Sequence, residues 1–274
     1  MTNPGWKTFL RTVLGRAYPR FIGVWREKSW LFFDVFLPLL QVSAYVYIYR
    51  AIGAPLEFSG FAVLGGAMIA YWMNVLWSMA SQLYWEKETG NLQLYLIAPT
   101  SRMAILLGMA LGGLTATTVR AAGVILVGTL LFRVPLQVAD GALFFGVFLL
   151  TLISLYGLGM LLSSVFLLWG REAWHLSQLF MEPVYLFSGF YFPVRALGFW
   201  VAAVASLIPI TLGLDAMRQL LYPQLMEKFR FLSVEVELGI LAFLAVLFLF
   251  LSREGLRFFE DLARREGRLT LRGQ

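Results

Sequence analysis

Long apolar runs alternate with short charged breaks along this chain, and the runs show neither the stripe of a soluble amphipathic helix nor the alternation of a strand. Six of them approach the roughly 20 residues that a helix needs to cross a hydrocarbon core: 31–49, 59–81, 105–132, 142–169, 173–192 and 238–252. Ahead of them, Trp6, Phe9, Leu10, Val13, Leu14, Ala17, Phe21 and Trp25 recur every three or four positions, with Lys7, Arg11, Arg16 and Arg20 between. That pattern predicts an amphipathic helix lying in the membrane interface over 1–28. Pro19 is expected to bend or divide it. The predicted fold is an all-α integral membrane protein, one domain over 1–274. Spans 1–3 occupy 31–132, spans 4–6 occupy 142–252, and a basic tail covers 253–274.

The break between the second and third runs, 84–102, does not read as a plain loop. Asn91 is placed to cap a helix start, Leu92, Leu94, Tyr95 and Leu96 follow over about two turns, and Pro99 ends them because it lacks an amide. A helix that short cannot span a membrane. It is expected to lie at one surface and offer its apolar side chains to another protein.

Composition strengthens the membrane reading. A hydrophobic fraction of 59% and a charged fraction of 14%, with a mean hydropathy of +0.75, lie far from a soluble domain, about half apolar and a quarter charged. The absence of cysteine removes disulfides, Cys-ligated zinc and redox motifs. Residues 1–28 contain no uninterrupted apolar run like a signal-peptide core and are expected to stay on the mature protein.

Charge decides the topology. Residues 196–214 carry no charge and would count as a seventh span by hydropathy alone. With six spans and both termini inside, the inner face holds six basic residues at the N-terminus, Lys87, Arg102, Arg171 and six in the tail. The outer face holds Arg50, Arg133, Arg195, Arg218, Lys228 and Arg230. A seventh span would nearly erase that bias, so the positive-inside rule favours six. The segment 193–222, interrupted by Pro209, is then expected to be an extracellular re-entrant helical hairpin, tolerable where protein covers its backbone, and 84–102 falls in the cytoplasm. The net charge of +6 sits in membrane-proximal segments, which orientation and anionic lipid explain without nucleic acid.

No Gly-x-x-x-x-Gly-Lys-Ser/Thr motif occurs, and no glycine precedes any of Lys7, Lys28, Lys87 and Lys228. No nucleophile and base pair stands out, and the lone His175 reads as a packing residue. The chain is expected to have no catalytic, cofactor or metal site of its own. Arg120 and Glu182 lie inside predicted spans, where a charge costs about 2.5 to 3.5 kcal/mol; their similar depths predict an ion pair between the third and fifth spans. Tyr45, Tyr71, Trp72, Asn74 and Trp77 crowd the first two spans. Gly108-x-x-x-Gly112 is a weak helix-packing signal.

Two motifs carry a family resemblance. Glu86-x-Glu88-x-Gly90-Asn91-Leu92 runs on to Ala98-Pro99-x-Ser101-Arg102 and Leu107-Gly108; Ser188-Gly189-Phe190-Tyr191-Phe192-Pro193 is followed by Pro209 and Asp215-Ala216-Met217-Arg218. Together they resemble the transmembrane subunit of ABC exporters of the ABC-2 type. The motif at Glu86 is similar to the coupling-helix segment of that family, and the motif at Ser188 to its fifth span turning into extracellular re-entrant helices. The resemblance covers essentially the whole chain, with Asn91 where the family often has threonine. It implies a second transmembrane subunit, two cytosolic ABC ATPase subunits that carry the ATP and Mg, and a bacterial-type cytoplasmic membrane. Glu86, Glu88, Gly90, Asn91, Leu92, Leu94, Tyr95, Pro99 and Arg102 would then form the ATPase-coupling surface. Tyr45, Tyr71, Trp72, Asn74 and Trp77 would border a path for a lipophilic or lipid-linked substrate. Polysaccharide or teichoic-acid export is the alternative within the family. An ion-driven transporter or channel, with Glu182, Arg120 and Asp34 as coupling groups, is the alternative of another class.

Overall fold

A computed structural model describes residues 5–26, 28–98, 101–169 and 173–265, and among them every regular element is helical. In chain order these are α1 (Trp6–Arg26), α2 (Lys28–Ala51), α3 (Glu57–Met73), a π-helix (Asn74–Ala80), α4 (Gln82–Glu88), α5 (Asn91–Ile97), α6 (Arg102–Phe132), α7 (Gly141–Trp169) and α8 (Ala173–Phe187). A 3₁₀ turn (Val194–Leu197), α9 (Phe199–Ala205), α10 (Pro209–Leu221), α11 (Pro223–Phe229) and α12 (Val234–Arg265) follow.

Five stretches among the described residues are long and apolar enough to cross a membrane: Phe32–Ala51, Glu57–Glu88, Arg102–Phe132, Gly141–Phe166 and Val234–Phe258. The second contains α3, the π-helix and α4, and is the most deeply enclosed of the five. Around it, α6 packs beside α1, α2 and α3, while α7 lies along α12 and α10. Ser154 Oγ donates to the Leu241 carbonyl at 2.8 Å, tying α7 to α12. The core they enclose is rich in aromatic and β-branched side chains, including Phe61, Trp72, Val75, Phe132 and Phe190. Burial of this kind does not itself drive assembly in lipid, where close packing and internal hydrogen bonds decide.

The predicted fifth span departs from expectation. Its helix covers Ala173–Phe187, 15 residues or about 22 Å at 1.5 Å per residue, and stops before 188–192. Gly189 adopts a φ of +67°, a left-handed conformation that ends a helix. The carbonyls beyond it turn toward Arg218 instead of continuing the ladder. Downstream, α9 and α10 form a pair bent by 114°, apolar enough to count as one further broken span. Pro209 opens α10 at a position where its missing amide is harmless. At the other end of the chain α1 runs unbroken through Pro19, so the proline removes one hydrogen bond without dividing the helix. The final helix is also longer than predicted, since α12 continues through Arg265 into the basic tail.

Candidate functional site

At one end of the bundle α4 and α5 form an elbow. Gly90, at φ +81°, makes the bend, and Thr89 Oγ1 donates to the Trp85 carbonyl at 3.0 Å. Asn91 does not cap: Gly90 occupies the N-cap position, no side chain bonds there, and Asn91 is the first helical residue. The left-handed glycine already turns the chain, leaving Asn91 exposed on α5. Leu92 is buried, whereas Leu94 is 59% and Trp85 51% exposed. Among the described side chains the apolar surface offered outward is therefore Trp85 and Leu94, the side chain of Leu96 lying outside the described set. Glu88 and Gly90 are half-buried, Arg102 opens α6, and Pro99 lies outside the described residues.

Glu86 is buried behind the elbow. Arg16 of α1 forms an ion pair with its Oε1, Gln82 Nε2 donates to the same oxygen at 2.7 Å, and the Tyr95 hydroxyl donates to Oε2 at 3.1 Å. The Arg16 guanidinium lies 5.3 Å from the centre of the Tyr95 ring. Burial, with Glu86 beside it, raises the Tyr95 phenol above its ordinary range while Arg16 pulls it down. One carboxylate thus joins α1, α4 and α5. Charge-assisted bonds of this kind are about twice as strong as neutral ones.

The same helix α1 also bonds to the last third of the second span. Arg20 donates to Ser78 Oγ at 3.1 Å, to the Met109 carbonyl at 3.2 Å and to Gln82 Oε1. Burial and the neighbouring Arg16 lower its affinity for the proton, and Glu86 opposes them. This close seat depends on Gly108 and Gly112. A Cβ on Gly108 would stand 2.6 Å from the Val13 carbonyl oxygen and 2.7 Å from Arg16 Cβ, and one on Gly112 3.0 Å from Arg20 Cβ. Meanwhile Trp6, Leu14, Tyr18 and Phe21 face outward. This face of the helix is therefore inverted relative to a soluble one: Arg16 and Arg20 bond to protein, while Trp6, Leu14, Tyr18 and Phe21 lie outside.

Between α1, α2, the π-helix and α6 lies a cavity of about 840 Å³. Asn74, Trp77 and Ser78 project into it from the π-helix, a helix form that recurs at functional sites. Asn74 accepts the Tyr156 hydroxyl at 2.8 Å and sits over Gly113, where a Cβ would lie 2.7 Å from Asn74 Oδ1. Arg120 and Asp34 also line the cavity, with Nε and Oδ2 2.8 Å apart. The expected Arg120 to Glu182 pair is thus corrected: Asp34 of α2 is the partner, and Glu182 is exposed on α8. Two residues at matching depth on different spans need not face each other, and α8 is angled so that Tyr185 lines this cavity.

Of the candidate path residues, Asn74 and Trp77 line the cavity. Tyr71 and Trp72 are buried packing residues, the former bonded to Thr118 at 3.1 Å, and Tyr45 stacks on Tyr191 with ring centres 3.8 Å apart. At the far end of the bundle the Ser188 to Arg218 motif does assemble. Arg218, buried with the guanidinium 4.7 Å from the Phe61 ring centre, donates to the carbonyls of Gly189 (2.6 Å), Phe190 (2.5 Å), Phe192 (3.2 Å) and Phe61 (3.2 Å). Ser188 and Phe190 are buried beside it, Pro193 precedes the 3₁₀ turn and Pro209 opens α10. Asp215 accepts the Phe231 amide and Gln219 Nε2, both at 3.0 Å, and Gln219 also donates to Glu237 at 3.1 Å.

Sequence reasoning missed Arg16, Arg20 and Gln82. The signal for the two arginines lay in α1 itself, where Val13, Arg16, Ala17 and Arg20 share one face at helical spacing opposite the glycines of α6.

A family profile described as ABC-2 type transporter matches residues 17–222. Two curated Escherichia coli proteins, from strain K12 and from O157:H7, are each described as probable multidrug ABC transporter permease YbhR. Each is 29% identical over 135 residues, which is 49% of this chain and 36% of the relative. The match thus spans little more than a third of those relatives. No solved structure matches the chain significantly.

Proposed function

Because the chain belongs to the ABC-2 type transporter family, we propose that it is the membrane permease subunit of an ATP-driven exporter of lipophilic or lipid-linked substrates. It works paired with a further transmembrane subunit in a bacterial-type cytoplasmic membrane, with the α4–α5 elbow inside and α9–α11 outside. ATP is hydrolysed by two separate cytosolic ATPase subunits, in keeping with a sequence that has no P-loop.

The observation that carries this reading is the elbow: an exposed apolar pair, Trp85 and Leu94, on a short helix whose rear is anchored by the buried Glu86 to α1. A partner's push on α5 passes through Tyr95 and Glu86 to Arg16, and through Arg20 to the π-helix. The multidrug description of the two relatives agrees with a lipophilic cargo.

Leu94→Asp tests it. The variant is expected to reach the membrane at normal level but to lose ATP-dependent export by tenfold or more when expressed with its partner ATPase, and to fail to co-purify with that ATPase. Normal export by Leu94→Asp would remove the coupling role from the elbow.

A further inference from the structure

The cavity between α1, α2, the π-helix and α6 carries two guanidinium groups and, among the described residues, one carboxylate. Arg120 is matched by Asp34 at 2.8 Å. Among the described residues no carboxylate matches Arg20: the oxygens that receive its hydrogen bonds, on Ser78, Met109 and Gln82, are all neutral. The neighbouring carboxylate, Glu86, already serves Arg16, Gln82 and Tyr95. Among the described residues the wall therefore keeps one uncompensated positive charge, in a site where low polarity strengthens any attraction to an anion. Asn74 adds a donor, since its oxygen is occupied by the Tyr156 hydroxyl and its amide nitrogen remains. The rest of the wall is largely apolar, with Phe33, Leu37, Ile69 and Met73 lining it. Its volume falls within the range of about 300–1,000 Å³ usual for small-molecule sites.

The geometry points to this cavity as a binding site for an amphiphile with a single anionic headgroup, a carboxylate or a phosphate monoester, seated with the headgroup at Arg20 and Asn74 and the alkyl part along Leu37, Ile69 and Met73. The assignment rests on the exporter reading and sharpens it by naming the charge class of the cargo. Asp34 sets the selectivity, because it neutralises Arg120 and holds the net charge of the cavity to one. A cationic amphiphile would meet Arg20 with no carboxylate left to receive it.

The test is equilibrium binding to the full chain in phosphatidylcholine nanodiscs, read by native mass spectrometry. Dodecyl phosphate is expected to give one saturable adduct per chain, inorganic phosphate none, and dodecyltrimethylammonium binding at least tenfold weaker. Arg20→Gln is expected to weaken dodecyl phosphate binding at least tenfold, and Ala116→Trp, which fills the cavity, to abolish it. Asp34→Asn is expected to tighten it severalfold by removing the carboxylate of the lining, an effect that no loss of folding imitates. The latter two variants leave the bonds of α1 to α4 untouched, so they decide the matter if Arg20→Gln does not fold. Equal binding of the cationic probe, or weaker phosphate binding by Asp34→Asn, would overturn the proposal. So would loss of dodecyl phosphate binding when phosphatidylglycerol is added to the nanodisc, which would make the occupant bilayer lipid and not cargo. Binding requires no ATPase, so export without phosphate binding removes only the charge class, and binding without ATP-dependent export removes only the exporter reading.

Discussion

Single residues set the closeness with which α1 seats on α6. A side chain on Gly108 would meet the Val13 backbone oxygen, which cannot move aside as a flexible side chain can. Gly108→Val is expected to lower stability by about 1–3 kcal/mol, the usual penalty of overpacking, and to expose α1 to limited proteolysis. A thermal unfolding shift in detergent measures the first effect and cleavage near Arg11 the second. Charge partners follow the same logic. Arg120 faces Asp34 while Glu182 is exposed, so Glu182→Gln is expected to stay within about 0.5 kcal/mol of the parent, as exposed substitutions usually do. Asp34→Asn should lower the unfolding midpoint further, and Arg120→Met should add little to Asp34→Asn because the pair is already broken. A larger effect for Glu182→Gln than for Asp34→Asn in the same melting assay would contradict this pairing.

Elements are where the sequence was both most and least legible. The long apolar runs announced α2, α6 and α7 almost to their ends, because a membrane span repeats one requirement over many residues. The cap before α5 was misassigned for a physical reason: asparagine and a left-handed glycine can both start a short helix, and Gly90 takes the role one residue earlier. The π-helix had no readable signal, since it depends on how Asn74 and Ser78 fit against Gly113, Arg20 and Tyr156 from other parts of the chain. The Gly108 and Gly112 pair was legible as packing, but its partner was not. Since Gly90 holds a positive φ, Gly90→Val is expected to cost roughly 1–2 kcal/mol and to speed amide exchange across α4 and α5, measured by hydrogen exchange with mass readout. Gly90→Asn should be milder, because asparagine tolerates the left-handed region better.

The whole molecule places the elbow at one end and the α9–α11 group at the other, and the absence of cysteine makes that arrangement directly testable. Trp200 is 80% exposed on α9 and Leu94 59% exposed on α5. In intact cells a membrane-impermeant maleimide is expected to label Trp200→Cys, whereas Leu94→Cys should react only after permeabilisation. The reverse pattern would invert the proposed topology. At the α9–α11 end, the irregular turn after α8 is held by Arg218, which supplies donors to carbonyls that lack a helical partner. The turn and its donor lie 26 to 29 residues apart in the chain. During synthesis, then, a nascent chain that has passed Phe192 but not reached Arg218 carries carbonyls with no internal donor, an arrangement hydrocarbon does not tolerate. Assembly of this end therefore has an order: the turn after α8 closes only once Arg218 has been made.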